Sequence, residues 1–362
     1  HLAAGFMRLR YLSLRDRLAI GRAIWKLMRT PSDGGKPAGN VETSVGEWLE
    51  RQRQSPAAIE RFWSVILVSA LGEQLDRASL AAARQVIVDG FLATRGSYVL
   101  EIPQAPLGVL YGQRLVDWFS AHQVELRLGT QVRRLEYAGK LALGIADATP
   151  IEPDFVVLAV PWNKVADILS PEIKAHCKWV EGTSRIESAP ITGVHLWFDR
   201  PITSLPHAVL VGRLSQWVFN RGRREGSDQA NGHYYQVVIS ASRSLAGRDR
   251  QQIVEDVRAE LSAIWPEAAA AALLQSRVVT EHAAVFSVRP GFEELRPAQQ
   301  TAIPEMVVAG DWTDTGWPAT MEGAVRSGYL AAEAILRSVG RPERFLRPDL
   351  PRGLLARLLL KS

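Results

Sequence analysis

The chain is poor in the residues that staple a fold or hold a metal. It contains one cysteine, Cys177, in 362 residues, which excludes an internal disulfide and any metal site built from cysteine pairs. That scarcity fits a reducing cytoplasm, with Cys177 as a packing residue. The seven histidines show no H-x-x-x-H spacing, so no metal is expected. No apolar run approaches the roughly 18 residues of a membrane-spanning helix, and no secretory leader is visible. A glycine turn is missing as well. Sheets that bind dinucleotides open with a strand, a G-x-G-x-x-G turn and a helix, which bring backbone close to a pyrophosphate. The nearest cluster, Gly34-Gly35-Lys36-Pro37-Ala38-Gly39, follows no strand pattern, precedes no helix pattern and contains a proline.

What is present suits a globular protein of about two domains: 47% apolar residues, 22% charged and a net charge of +5. The arginines are interleaved with acids and form no nucleic-acid module, so no nucleic-acid partner is expected. The most informative stretch runs from Val307 to Gly328. Val307 to Ala309 reads as a strand end, Gly310-Asp311 as a junction, and Trp312 to Pro318 as a turn-rich loop. Thr320 is placed to cap a helix running from Met321 to Leu336. Small residues at Ala324, Ser327, Gly328, Ala331 and Ala332 give that helix a side able to pack closely on a sheet or a flat ligand. A glycine at a strand end, an acid beside it and a helix start suit a ligand with a pyrophosphate, a polyol and an electron-rich ring edge.

Upstream, Leu14 to Met28 reads as an amphipathic helix carrying Arg15, Arg17, Arg22 and Lys26, suited to a packed position or to a membrane surface. Ser44-x-x-Glu47 is a capping box, and Ser55-Pro56 opens a further helix. Asp76 to Leu92 continues the helical pattern. Leu115 to His122 is helical, while Val124 to Leu128 and Gln131 to Glu136 alternate as strands. Phe155 to Pro161 has the continuous apolar character of a buried parallel strand. Between 185 and 290 come strand patterns at Ile191–Phe198, Ala208–Val211, Gln216–Asn220, Tyr234–Ala241 and Arg277–Val288, with a helix at Arg250–Ile264. The tail from Arg341 to Ser362 mixes arginines with leucines, suited to an anionic bilayer or to docking on its own domain.

The run Ala309-Gly310-Asp311-Trp312-Thr313 followed by Ala319-Thr320-Met321-Glu322-Gly323-Ala324-Val325-Arg326-Ser327-Gly328 resembles the C-terminal flavin signature of the flavin amine oxidases, in their phytoene desaturase branch. Its Gly316-Trp317-Pro318 version is most similar to that of the hydroxysqualene dehydroxylases. The resemblance implies an α/β fold of the FAD/NAD(P)-binding, amine-oxidase-like kind, with a truncated N-terminal Rossmann βαβ and an α+β substrate domain. The absent glycine turn and the start at His1 lead to the expectation of an N-terminally truncated copy. The expected division is a helical part of the substrate domain at 1–104, a middle FAD-binding segment at 105–165, a mixed substrate sheet at 166–300, a C-terminal FAD-binding segment at 301–340 and a basic amphipathic tail at 341–362.

FAD is the cofactor the resemblance implies. Gly310 and Asp311 fall to its pyrophosphate and ribityl region, and Met321, Glu322, Gly323 and Ala324 to the flavin N1/O2 edge. Val132 falls to the adenine, on the resemblance alone. Gly323 is expected to leave room for the ring. A long isoprenoid is the implied substrate, met at the inner face of the cytoplasmic membrane, with Trp312 and Trp317 as tunnel residues and Asp314 as the candidate acid. The alternatives are a phytoene-type desaturase, an amine oxidase, and a non-catalytic membrane-associated remnant.

Overall fold

A computed structural model describes residues 2–29, 32–33, 36–37, 43–94, 96–99, 101–103, 105–146, 149–224 and 232–360. Of the 34–39 glycine cluster only Lys36 and Pro37 are among them, paired antiparallel with Asp33 and Ser32 in a two-residue ladder; the rest of the cluster lies outside the described residues.

The N-terminal part is helical. Helix α1 (Leu2–Met7) leads into α2 (Leu14–Arg29), whose Ile20, Ala23 and Leu27 are buried at a helical repeat. In α3 (Val45–Arg51), Ser44 accepts from the Glu47 N–H at 3.2 Å, which is half of the expected capping box. Ser55 caps α4 (residues 56–71) through the Ala58 N–H, with Pro56 in its first turn and a π-turn at Ile59–Trp63. The next helix, α5 (residues 80–92), starts at a Ser79 cap, later than its pattern suggests. After α6 (Arg114–Ala121), residues 124–128 form no strand. Val124, Leu126 and Leu128 are all exposed, so no core face holds their alternation in a sheet.

A ribbon of β1 (Val132–Tyr137) and β2 (Leu141–Ile145) comes next. Then β3 (Val156–Leu158) is followed by the short helices α7 (Trp162–Ile168), α8 (Pro171–His176) and α9 (Trp179–Thr183). The substrate-domain sheet is formed by β4 (Ser188–Phe198), β5 (His207–Val209), β6 (Trp217–Arg224), β7 (Gly232–Ser240) and, after α10 (Arg250–Ile264) and α11 (Pro266–Ala270), β8 (Leu273–Phe286). Its order is β8-β4-β7-β6-β5, antiparallel throughout. The face carrying Val194, Leu196, Tyr235 and Val237 buries Ile253, Val257 and Leu261 of α10. Period two on the strands meets period 3.6 on the helix, the usual two-layer solution.

The last parallel strand, β9 (Met306–Val308), pairs with β3, and α12 (Met321–Ser338) lies against it through Val307, Ala309, Ala331 and Ala334. Tail helix α13 (Leu354–Leu359) turns Ala356 into the main core, and the Gly353 N–H donates to Ala93 at 2.8 Å. The tail is thus docked on its own chain. No helix among the described residues is long and apolar enough to cross a membrane.

Candidate functional site

The 307–328 stretch folds as a strand, loop and helix tied together at both ends. Gly310 donates its N–H to Ser327 Oγ at 2.7 Å, and Ser327 donates in turn to the Ala324 carbonyl at 2.6 Å. This closes the end of β9 onto the second turn of α12. Gly310 sits at φ +145°, and a Cβ there would collide with the Trp312 indole. Thr320 caps α12 by accepting from the Gly323 N–H at 3.0 Å.

Gly310, Asp311 and Gly323 are therefore brought together, and the missing side chain of Gly323 has a use within the protein itself. A Cβ on it would point inward, 3.0 Å from the Pro318 carbonyl and 3.6 Å from Asp311 Cβ. Its missing side chain lets the helix start press against the loop. Met321, Glu322 and Ala324 are exposed on the first turn. Among the described residues, the N–H groups of Met321 and Glu322 meet no acceptor. Open N–H groups on an 18-residue helix attract an electron-rich edge. Half-buried Asp311 lies beside them, and burial pushes its carboxyl above the usual range, while the Arg296 charge and main-chain N–H groups pull it down. An acceptor acid next to an open helix start fits the polyol and pyrimidine side of a flavin. Val132 belongs to the β1–β2 ribbon, paired with Ile145.

The two tryptophans differ. Trp312 is 1% exposed, donates its indole N–H to the Val160 carbonyl at 3.0 Å and packs on Trp179. It anchors β9 to the end of β3 and offers no face to a tunnel. Half-buried Trp317 has the Arg326 guanidinium over its ring at 5.9 Å. Asp314 is held by its main chain, with its N–H donating to Pro297 at 2.8 Å and its carbonyl accepting from Gln299 at 3.2 Å.

Arg296 is the residue that pattern reading missed. Its side chain is buried, and Nη2 reaches the Asp311, Thr313 and Trp317 carbonyls at 3.0, 2.6 and 2.7 Å and Thr315 Oγ1 at 3.1 Å. Nε adds a second bond to Thr313, and Nη1 pairs with Glu293 at 3.0 Å. One planar fork thus shapes the whole 311–317 loop.

The second region is the sheet face opposite α10. The register places His195 and Trp197, Tyr234 and Gln236, Trp217 and Phe219, and His207 on it. Trp197 stacks on Tyr234 at 4.8 Å and Trp217 on Phe219 at 5.6 Å. His195 Nδ1 lies 2.7 Å from the Tyr234 hydroxyl, and burial, aided by Arg277, pushes the imidazole down, favouring its neutral form. A cleft of about 840 Å³ separates this face from the 102–107 segment, lined by Ile102, Pro103, Leu107, Phe219 and Tyr234 among others. The i,i+2 aromatic spacing was its sequence signal. Among the described residues no group of acids, histidines and cysteine is placed to hold a metal.

Residues 39–336 match the family described as flavin containing amine oxidoreductase. A hydroxysqualene dehydroxylase of Rhodopseudomonas palustris is 28% identical over 76% of this chain and 62% of its own length. A chloroplastic/chromoplastic 15-cis-phytoene desaturase of Solanum lycopersicum is 25% identical over 64% of this chain and 42% of its own. The chain thus spans between about four and six tenths of the length of these curated relatives. Among solved structures, cyclohexylamine oxidase from Brevibacterium oxydans superposes with a TM-score of 0.64 at 16% identity, over 92% of this chain and 77% of that one.

Proposed function

The chain belongs to the flavin containing amine oxidoreductase family, and on that premise we propose that it acts on a long isoprenoid, reductively removing the hydroxyl of hydroxysqualene to give squalene. FAD is its cofactor and the fold is of the amine-oxidase-like α/β kind. When bound, the flavin supplies hydride chemistry. The described residues account for its polyol and ring-edge side. Asp311 accepts hydroxyl hydrogen bonds, the open turn at Met321 and Glu322 stabilises negative charge on the ring edge, and Arg296 holds the loop between them in shape. Val132 remains the proposed adenine neighbour.

The observation that supports the substrate reading is the aromatic face of the sheet along the cleft of about 840 Å³. Phe219 and Tyr234 offer π-faces there to a developing allylic cation, beside the polar side chains of His207, Asn220, Arg221 and Gln236. The larger share of the chain aligned with the dehydroxylase supports dehydroxylation over desaturation. A departing hydroxyl needs a proton. Asp314 is one candidate donor, and Tyr234, backed by His195, is the other. A peripheral contact with membrane lipid, where such a substrate resides, belongs to the same proposal, as does a cytoplasmic location.

The test expresses the protein from its complete reading frame and supplies reduced FAD with hydroxysqualene, or oxidised FAD and a quinone acceptor with phytoene. Squalene from the first supports the proposal. Desaturated product from the second, with no squalene, replaces it with a desaturase. Asp314→Asn and Tyr234→Phe then separate the two donors, since loss of turnover with retained substrate affinity marks the one that acts.

A further inference from the structure

Helix α2 has two apolar faces. At about 100° per residue, Ile20, Ala23 and Leu27 share one side and are buried in the core. On the opposite side Leu14, Leu18, Gly21 and Trp25 fall within about 60° of one another, and all four are exposed. Leu14 is 59% exposed, Leu18 53% and Trp25 43%, with Tyr11 also exposed at 43% just before the helix. Arg29, Arg22 and Arg15 follow in order along one edge of this stripe, all exposed. The one acid of the helix, Asp16, points elsewhere, accepting from Ser13 and Ser55. Arg17 fastens the segment that precedes the helix by donating to the Met7 and Leu12 carbonyls. A core face explains the first stripe but not the second. Within the helix the Arg29 guanidinium lies 4.8 Å over the Trp25 ring, and the stripe otherwise stays exposed among the described residues.

We propose that this outer face of α2 is the surface by which the protein docks on an anionic lipid bilayer, with Leu14, Leu18 and Trp25 entering the headgroup boundary and Arg15, Arg22 and Arg29 meeting lipid phosphates. Charge complementarity selects this occupant. An apolar stripe edged by arginines, on a helix already fixed by its other face, is the form of an interfacial helix. The rigid mounting removes the cost of folding the helix at the membrane. The inference rests on the lipid contact proposed above and assigns it to α2 in place of the tail, whose Ala356 is turned into the core.

Sedimentation with vesicles of phosphatidylglycerol or of phosphatidylcholine tests it. The protein should partition onto phosphatidylglycerol at least about tenfold more strongly, with the difference shrinking at high salt. The variant Leu14→Ser/Leu18→Ser/Trp25→Ser should lose about tenfold or more in partitioning. Arg15→Gln/Arg22→Gln/Arg29→Gln should lose about fivefold per arginine on the anionic vesicles alone. These side chains are exposed, so the thermal midpoints should stay near that of the parent. No vesicle binding at all would sink both this surface and the lipid contact. Binding unchanged in both variants but lost in Leu354→Ser on the tail would overturn the surface alone. Concentration-dependent self-association abolished by the apolar variant would show a second copy as the occupant, which also overturns it.

Discussion

Replacing Arg296 by Met removes the loop's organiser while keeping most of its volume. The Asp311 and Thr313 carbonyls lose this donor, the Trp317 carbonyl and Thr315 Oγ1 are left with the weaker bonds between Thr315 and Trp317 at 3.4 and 3.3 Å, and Glu293 loses its partner. A buried acceptor left without a donor costs about 1–3 kcal/mol. The loop can relax towards water at the half-exposed Asp311 and Trp317 ends, so the lower part of that range applies, and the sum is about 3–5 kcal/mol. Against a total stability of about 5–15 kcal/mol, that is a large loss. It corresponds to a fall in melting temperature on the order of 10 °C. Differential scanning calorimetry of the FAD-free protein reads this directly, and FAD titration of the same variant should show weaker binding. Arg296→Lys keeps the charge but loses the fork, so it should recover less than half of the loss. A change below about 1 kcal/mol in both variants would refute the reasoning, because it would mean the loop holds its shape without the guanidinium.

Asp311 gives a pH signature. Burial raises its carboxyl above the unfolded value, so the folded state holds more protons than the unfolded state between the two pKa values. Its contribution to stability is therefore most favourable below the unfolded pKa and declines as pH rises through the folded one. The stability gain of Asp311→Asn over the parent should thus grow from acid to neutral pH in denaturant titrations, and a flat difference would contradict the burial. Glu73 is fully buried, pairs with Arg243 at 2.5 Å and accepts from Ser287 and the Gln74 N–H, tying the end of α4 to β8. Glu73→Ala leaves the Ser287 hydroxyl without its acceptor and the partly exposed Arg243 guanidinium with the Ser188 carbonyl alone, and should cost about 1–3 kcal/mol in urea unfolding. Ser44→Ala removes the cap of α3 and should cost about 1 kcal/mol by the same measurement.

Local signals explain what was legible. The caps at Ser44, Ser55 and Thr320 and the helix Arg250–Ile264 follow from side chains that act within a turn of themselves. The five sheet strands follow from alternation against a buried face. Val124 to Leu128 carry the same alternation with no core to face, so the pattern there does not form a strand. Arg296 was illegible for the opposite reason. Its loop partners lie 15–21 residues further along the chain, and nothing in the run around it separates a loop organiser from a surface arginine. Trp312 shows the limit of reasoning from residue type, because an aromatic beside a flavin signature is as useful for pinning two strands as for lining a tunnel. The aromatic face over the cleft needed the register of four strands before its members could be seen as neighbours.

The central claim is that the junction of Gly310, Asp311 and the start of α12 holds the flavin. Titration of FAD into the parent protein and into Asp311→Ala, both expressed from the complete reading frame, measures it most directly. Affinity in the variant should be lower by tenfold or more, while the FAD-free variant melts no earlier than the parent because a buried carboxyl has been removed. Equal FAD affinity in the two proteins would contradict the account.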